Sequence, residues 1–179
     1  MINGKKLQPF STDVVFFDAE FTGHDIVCDQ LMSVGMISLD GEREMYFELA
    51  YDENNVSTWV RKHVEPYLTD EKISRKEARK RIRAFCGKSE PFLIATVNQY
   101  DMAFWHKLFE GEKGPVHPIP IDFASMLFAI GLNPAREIDG EKKNFYAQFG
   151  IDTNDYKLHN ALDDARLMRA LYLILVGDD

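Results

Sequence analysis

The sequence predicts a mixed α/β fold, a β-sheet covered by helices, on three observations. A short apolar run at residues 14–17 ends in Asp-Ala-Glu, as a buried strand meeting a site at its end reads. An early β-hairpin follows, its two runs separated by the turn pair Asp40-Gly41. Strand-like and helix-like segments then alternate up to a long amphipathic segment at the C-terminal end.

The hairpin strands are expected at residues 31–39 and 44–50. Val56, Trp59, Val60 and Val64 fall at helical spacing, after the cap candidates Asn54 and Asn55 and before Pro66. A second helix is expected over 70–85, with Ile73, Ala78, Ile82 and Phe85 inward, and a fourth strand over 91–97. Residues 101–109 read as a helix and 111–120, rich in Gly, Pro and His, as a loop. Ile121 opens a short strand or turn, Asp122 caps a helix over 123–131, a short helix covers 142–149, and 160–176 form the closing helix.

The 179 residues correspond to about one domain, and no repeat, linker or low-complexity tract divides them, so 1–179 read as one continuous domain. A hydrophobic fraction of 45% with 28% charged residues is ordinary for a globular protein and excludes collagen, coiled coil and extended disorder. The longest apolar runs, 126–132 and 171–176, fall short of a membrane span, and the lysines near the start have no apolar region behind them, so neither membrane association nor a signal peptide is expected. Cys28 and Cys86 are too few for a disulfide framework and read as reduced thiols, which makes the cytoplasm the expected compartment. The net charge is −8, where a simple nucleic-acid binder leans basic. Either the partner is something else, or the acids are gathered where divalent cations cover them.

Asp18 and Glu20 sit two apart at a strand end, so both carboxylates leave one face. Adjacent anions repel unless a cation lies between them, and Mg²⁺ and Mn²⁺ favour such oxygen ligands. Asp101 follows the fourth strand at the start of a helix, where a carboxylate also serves as a cap. In Leu-His-Asn-Ala-Leu-Asp-Asp-Ala, residues 158–165, Asn160 reads as an N-cap and Asp163 as its structural partner. Asp164 lies one residue deeper, and His159 stands just outside the helix, placed either as a general base or as an ordinary solvated loop histidine.

In their order, Asp18-x-Glu20 on the first strand, Asp101 after a middle strand and His159-x₄-Asp164 entering the last helix resemble the three motifs of the DEDDh exonucleases. That is the group of RNase T, oligoribonuclease and DnaQ-type proofreading subunits, with a ribonuclease-H-like mixed β-sheet flanked by α-helices. The resemblance runs from Val14 to Leu175. The sister group carries Tyr where this chain has Asn160, which favours the histidine type. The stretch from Trp59 to Pro66 looks most like a group of compact bacterial 3′→5′ exoribonucleases. One departure stands at the middle motif: many members carry His-Asn ahead of the Asp, where this chain reads Ala-Thr-Val-Asn-Gln-Tyr-Asp.

The resemblance implies a metal-dependent exoribonuclease that releases nucleoside 5′-monophosphates from an RNA 3′ end. Two Mg²⁺ or Mn²⁺ ions would be held by Asp18, Glu20, Asp101 and Asp164, with His159 as the base that deprotonates water. Four carboxylates bring −4 and two divalent ions return +4, which answers the charge objection. Substrate contacts are expected from Glu20, Phe21, Thr22 and Gly23, with Phe21 stacked on a base or else part of the core, and the Thr22 backbone bonding the sugar. A DNA exonuclease or proofreading-type subunit is the alternative within this chemistry; an inactive binding module or an acidic metal-binding protein lies outside it. A homodimer is a family-level expectation.

Two further features are open. Between residues 70 and 83 stand seven basic residues against three acidic ones, with Arg75, Arg79 and Arg83 along one stripe, either a phosphate track or a solvated face with Glu71–Arg75 and Glu77–Arg81 pairs. Trp59, with Arg61 and His63, either meets RNA or anchors its helix or a dimer contact.

Overall fold

The apolar run that opens the sequence becomes the interior of a six-stranded sheet. The computed structural model describes residues 6–138 and 140–177; residues 1–5, on which the expectation of no signal peptide falls, and residues 139, 178 and 179 lie outside it. β1 (Val14–Phe21), β2 (Leu31–Ser38) and β3 (Glu44–Leu49) form an antiparallel meander. β4 (Lys72–Ile73) runs parallel to β3, β5 (Phe92–Ala95) parallel to β1, and β6 (Ile121–Asp122) parallel to β5. The sheet order is β4-β3-β2-β1-β5-β6.

Alternation along β1 builds two cores. Val15, Phe17 and Ala19 face one side, packed with α2 (Arg75–Cys86) and α3 (Gln99–Phe109) through Ala78, Ile82, Phe104 and Leu108. Val14 and Phe16 face the other, against α4 (Phe123–Ala129), α6 (Lys142–Ala147) and α7 (Ala161–Val176). Asp18 and Glu20 continue this second row, which puts both carboxylates under α7. A third cluster, Met32 with Val56, Val60 and Val64, seats α1 (Thr58–His63).

Several expectations are corrected. The second helix starts at Arg75, not Asp70, because Lys72 and Ile73 pair with β3 and Ser74 caps the helix by accepting from the Glu77 N–H. Glu71 therefore lies off the helix and the Glu71–Arg75 helical spacing does not exist. Ser57, not Asn54 or Asn55, caps α1; Asn54 and Asn55 belong to a 3₁₀ turn capped by Asp52. α3 begins two residues before Asp101, α4 ends at Ala129 and α6 at Ala147. The short helix α5 (Ala135–Ile138) and the 3₁₀ turns Glu65–Tyr67 and Thr153–Asp155 are too brief for periodicity to reveal. Cys28 and Cys86 are unpaired. Among the described residues no helix is long and apolar enough to cross a membrane.

Candidate functional site

β1 and β5 are parallel neighbours, and their carboxyl ends open on one edge of the sheet, where α/β sheets commonly bind ligands. β1 brings Asp18 and Glu20 to that edge. From β5 the chain turns through Val97, a β-branched residue at φ 54, and enters α3, whose third residue is Asp101. Asp101 is 5% exposed, on the same helical stripe as the buried Phe104, Trp105 and Leu108. A carboxylate thus occupies an inward position of an otherwise apolar face.

The fourth acid arrives with α7. Asn160 caps this helix by accepting from the Asp163 N–H, and the Asp163 carboxylate accepts from the Lys157 N–H and pairs with Arg166 at 2.7 Å. Asp163 is therefore structural, as its spacing implied. Asp164 is buried on the inward stripe with Ala161, Ala165 and Met168. Its Oδ2 accepts from the His159 backbone N–H at 2.7 Å, and its Oδ1 accepts from Lys142 Nζ at 2.6 Å. His159 reaches this geometry at φ 67, in the left-handed region.

Glu20, His159 and Asp164 converge: one possible ligand atom from each lies within 4.8 Å of the other two. Asp18 and Asp101 act on the same group electrostatically. Burial first, then Asp164, Glu20 and Asp101, push the Asp18 carboxyl well above the usual carboxylate range, against the opposing pull of Lys142. Burial, then Asp164, raise Glu20 likewise. Asp101 is pushed up to about 8, chiefly by burial, with Asp122 adding to the rise. Asp122, the cap of α4, is a fifth acid at the rim that the sequence motifs did not include. The structure thus brings Glu20, His159 and Asp164 together and sets Asp18 and Asp101 within electrostatic reach of that group. The donors fit a hard divalent cation: they are oxygen-rich, and Lys142 does not offset their mutual repulsion.

The imidazole of His159 has the opposite displacement. Burial lowers its pKa, Asp164 raises it, and Lys142 and His63 lower it further. The Trp59 ring stands edge-on to it at 5.2 Å and stacks on His63 at 4.6 Å. Trp59 is 51% exposed, so Val56, Val60 and Val64, rather than the tryptophan, anchor α1.

The turn after Glu20 is more committed to structure than expected. The Phe21 ring stacks on Phe104 with centroids 4.1 Å apart and packs against the core on the face opposite Asp18. Thr22 is fully buried, its N–H donating to the Gln30 carbonyl and its carbonyl accepting from the Ser57 N–H. Its backbone N–H is therefore not available to a sugar, which corrects that expectation. The Thr22 hydroxyl donates to Asp29 Oδ1, and Asp29 Oδ2 lies 2.5 Å from where a Cβ on Gly23 would sit. Gly23 is thus required by Asp29, a loop-organising residue that the sequence does not flag. Lys107 closes the same loop, donating to the carbonyls of Ile26, Val27 and Asp29.

Gly35 is the other residue without a sequence signal. It pairs across the sheet with Asp18, and a Cβ there would lie 2.2 Å from backbone atoms of Ala161 and Leu162. The first turn of α7 rests directly on it, and that contact sets Asp164 over Asp18. Lys142 escaped notice for a different reason. It is a cation at the first position of α6, where the macrodipole favours an anion, and that mismatch was the available signal.

Two of the three arginines of the α2 stripe, Arg79 and Arg83, are occupied elsewhere. Arg79 pairs with Glu110 at 3.0 Å, Arg83 with Glu112 at 3.1 Å, and Arg81 with Glu77 at 3.2 Å as its spacing implied.

No family model and no curated protein matches the chain. Solved structures do match. The nuclease domain of 3′hExo, a DEDDh family member bound to rAMP, superposes with a TM-score of 0.66 at 12% identity, over 88% of this chain and 88% of that one. Escherichia coli exonuclease I in complex with single-stranded DNA, in a zinc-bound form, gives 0.68 at 13% identity, over 91% of this chain and 40% of that one. The same enzyme with a dA16 oligonucleotide gives 0.66 at 14% identity. The fold is ribonuclease-H-like. At these identities the likeness carries the fold, and this chain spans about two-fifths of the exonuclease I chains.

Proposed function

We propose that the protein is a metal-dependent 3′→5′ exonuclease of the DEDDh type, one exonuclease domain over residues 1–179, acting on RNA. The observation that carries this reading is the convergence of Glu20, His159 and Asp164 within 4.8 Å beside the half-buried Asp18 and the buried Asp101. Neighbours of the same fold that bind rAMP and single-stranded DNA support a nucleic-acid substrate. The unpaired Cys28 and Cys86 agree with a reducing, cytoplasmic setting.

Asp18, Glu20, Asp101 and Asp164 would hold two Mg²⁺ or Mn²⁺ ions, which would supply acidification of a water and neutralisation of charge on the phosphate. The protein's own groups do the rest. The His159 backbone N–H fixes the Asp164 carboxylate, so ligand and base move as one unit. The His159 imidazole, held neutral by burial, accepts the proton of the attacking water at a ring nitrogen. The bond from phosphorus to the 3′ oxygen of the preceding nucleotide breaks, and a nucleoside 5′-monophosphate leaves. The terminal nucleotide lies against Glu20 and the partly exposed Phe21 and Gly23 of the following turn, beneath the exposed edge of Trp59.

Because exonuclease I neighbours carry DNA, a DNA exonuclease is the second reading. The test compares 5′-labelled single-stranded RNA with the matching DNA in Mn²⁺. A ladder shortening from the 3′ end, faster on RNA, is expected; a faster DNA ladder would replace RNA by DNA as substrate, and cleavage of neither would reject the nuclease.

A further inference from the structure

An ammonium sits inside the carboxylate cluster. Lys142 Nζ lies 2.6 Å from Asp164 Oδ1, with the lysine side chain 25% exposed and that of Asp164 9%. The same charge acts on Asp18 and Glu20, favouring their ionised forms, and on His159, disfavouring its protonation. Lys142 therefore lies within electrostatic reach of three of the four acids and of the base. It stands at the outer end of α6, a six-residue helix moored by the buried Phe145 and Tyr146. The flexible lysine stem lets the head group move while the helix stays in place.

We propose that Lys142 is a partner-exchanging cation, pairing with Asp164 when no divalent ion is bound and with a non-bridging phosphate oxygen of the substrate when one is. The proposal rests on the nuclease reading above. The argument is one of charge. An ammonium and a dication repel strongly at one carboxylate oxygen in a half-buried site, so Lys142 gives up Asp164 Oδ1 as the ion is taken up. The group nearest at hand that restores a negative partner is the phosphate brought by the substrate. Lysine suits this role because it binds phosphate as a point charge and needs no fixed fork geometry. Lys142 is then both a counter-ion that keeps the acids together before loading and a substrate-binding residue afterwards.

The test substitutes Lys142→Met and follows two bindings that need no turnover, with thermal unfolding as the check that the fold persists. Mn²⁺ binding without nucleotide, read by electron paramagnetic resonance at pH 8.5, is expected to tighten about 10-fold. Binding of adenosine 5′-monophosphate with Ca²⁺ present is expected to weaken about 10-fold. Lys142→Arg keeps the charge and is expected to stay near wild type in both. Equal or weaker Mn²⁺ binding in Lys142→Met would overturn the exchange at Asp164, and unchanged nucleotide affinity would overturn the phosphate contact. A wild-type protein that binds Mn²⁺ but neither the nucleotide nor any 3′ end would reject the nuclease reading and the phosphate contact together, leaving the Mn²⁺ result to decide the pairing with Asp164.

Discussion

His159 holds a left-handed backbone at φ 67, and that turn aims its N–H at Asp164 Oδ2 while its ring meets Trp59. On the proposed mechanism its ring nitrogen, not its charge, takes the proton. His159→Ala should lower turnover by about 10²–10⁴-fold. Mn²⁺ affinity should persist, because four carboxylates remain; equilibrium dialysis beside single-turnover kinetics checks both. Since burial lowers its pKa, the acid limb of the rate profile should fall below the ordinary histidine range near 6.5, leaving the enzyme fully active at pH 7. Asp101 gives the opposite signal in stability. With its pKa raised to about 8, the folded metal-free protein keeps a proton that the unfolded chain has already lost above its ordinary value. Its contribution is therefore fully favourable only at low pH, and stability falls as pH rises from about 4 to about 8. Asp101→Asn removes that cost, and in EDTA at pH 7.5 it should raise Tm by about 3–8 °C by calorimetry. The acids were legible because each is a charged residue at a strand end or on an apolar helical stripe. Asp29 was not, since its role comes from a loop whose path no local pattern encodes, and Lys142 offered only the weak signal of a cation at a helix N-terminus.

At the level of elements, the contact between α7 and β2 decides whether the site exists. Gly35 faces Asp18 across the sheet and meets the backbone of Ala161 and Leu162. Gly35→Ala places a methyl where backbone already lies, so it should destabilise the protein by about 1–3 kcal/mol and lift the first turn of α7 off the sheet. Turnover should fall at least about 10-fold, a loss out of proportion to the stability change, because a small misplacement of catalytic groups costs up to about 10² in rate. Denaturant melts and kinetics on the same sample separate the two. α2 teaches the converse. Its arginines read as a phosphate track, but Arg79 and Arg83 tie α2 to the end of α3. Arg79→Ala should cost stability and leave the salt dependence of RNA binding unchanged, as filter binding across ionic strengths would report. Helix periodicity found α2 and α7 because both bury a continuous stripe. It misjudged residues 70–74 because Ile73 serves an edge strand at the same apolar position.

For the whole molecule, a charge of −8 agrees with the proposed nucleic-acid substrate if divalent cations neutralise four of the acids. Saturating Mn²⁺ at about 100 times its dissociation constant should add about 2.7 kcal/mol to stability. The sheet order was the part of the fold least accessible to local reading: β1 pairs with β2 across a loop of nine residues but with β5 across 70 intervening residues, and only the ordered motifs pointed to that closure. The central claim is that this cluster hydrolyses phosphodiester bonds with Asp164 as an essential metal ligand. Its most direct test is release of nucleoside 5′-monophosphate from single-stranded RNA in Mn²⁺ by the wild type and by Asp164→Asn, both verified as folded. The account predicts Mn²⁺-dependent release by the wild type and nearly none by the variant, and an Asp164→Asn protein that still cleaves would contradict it.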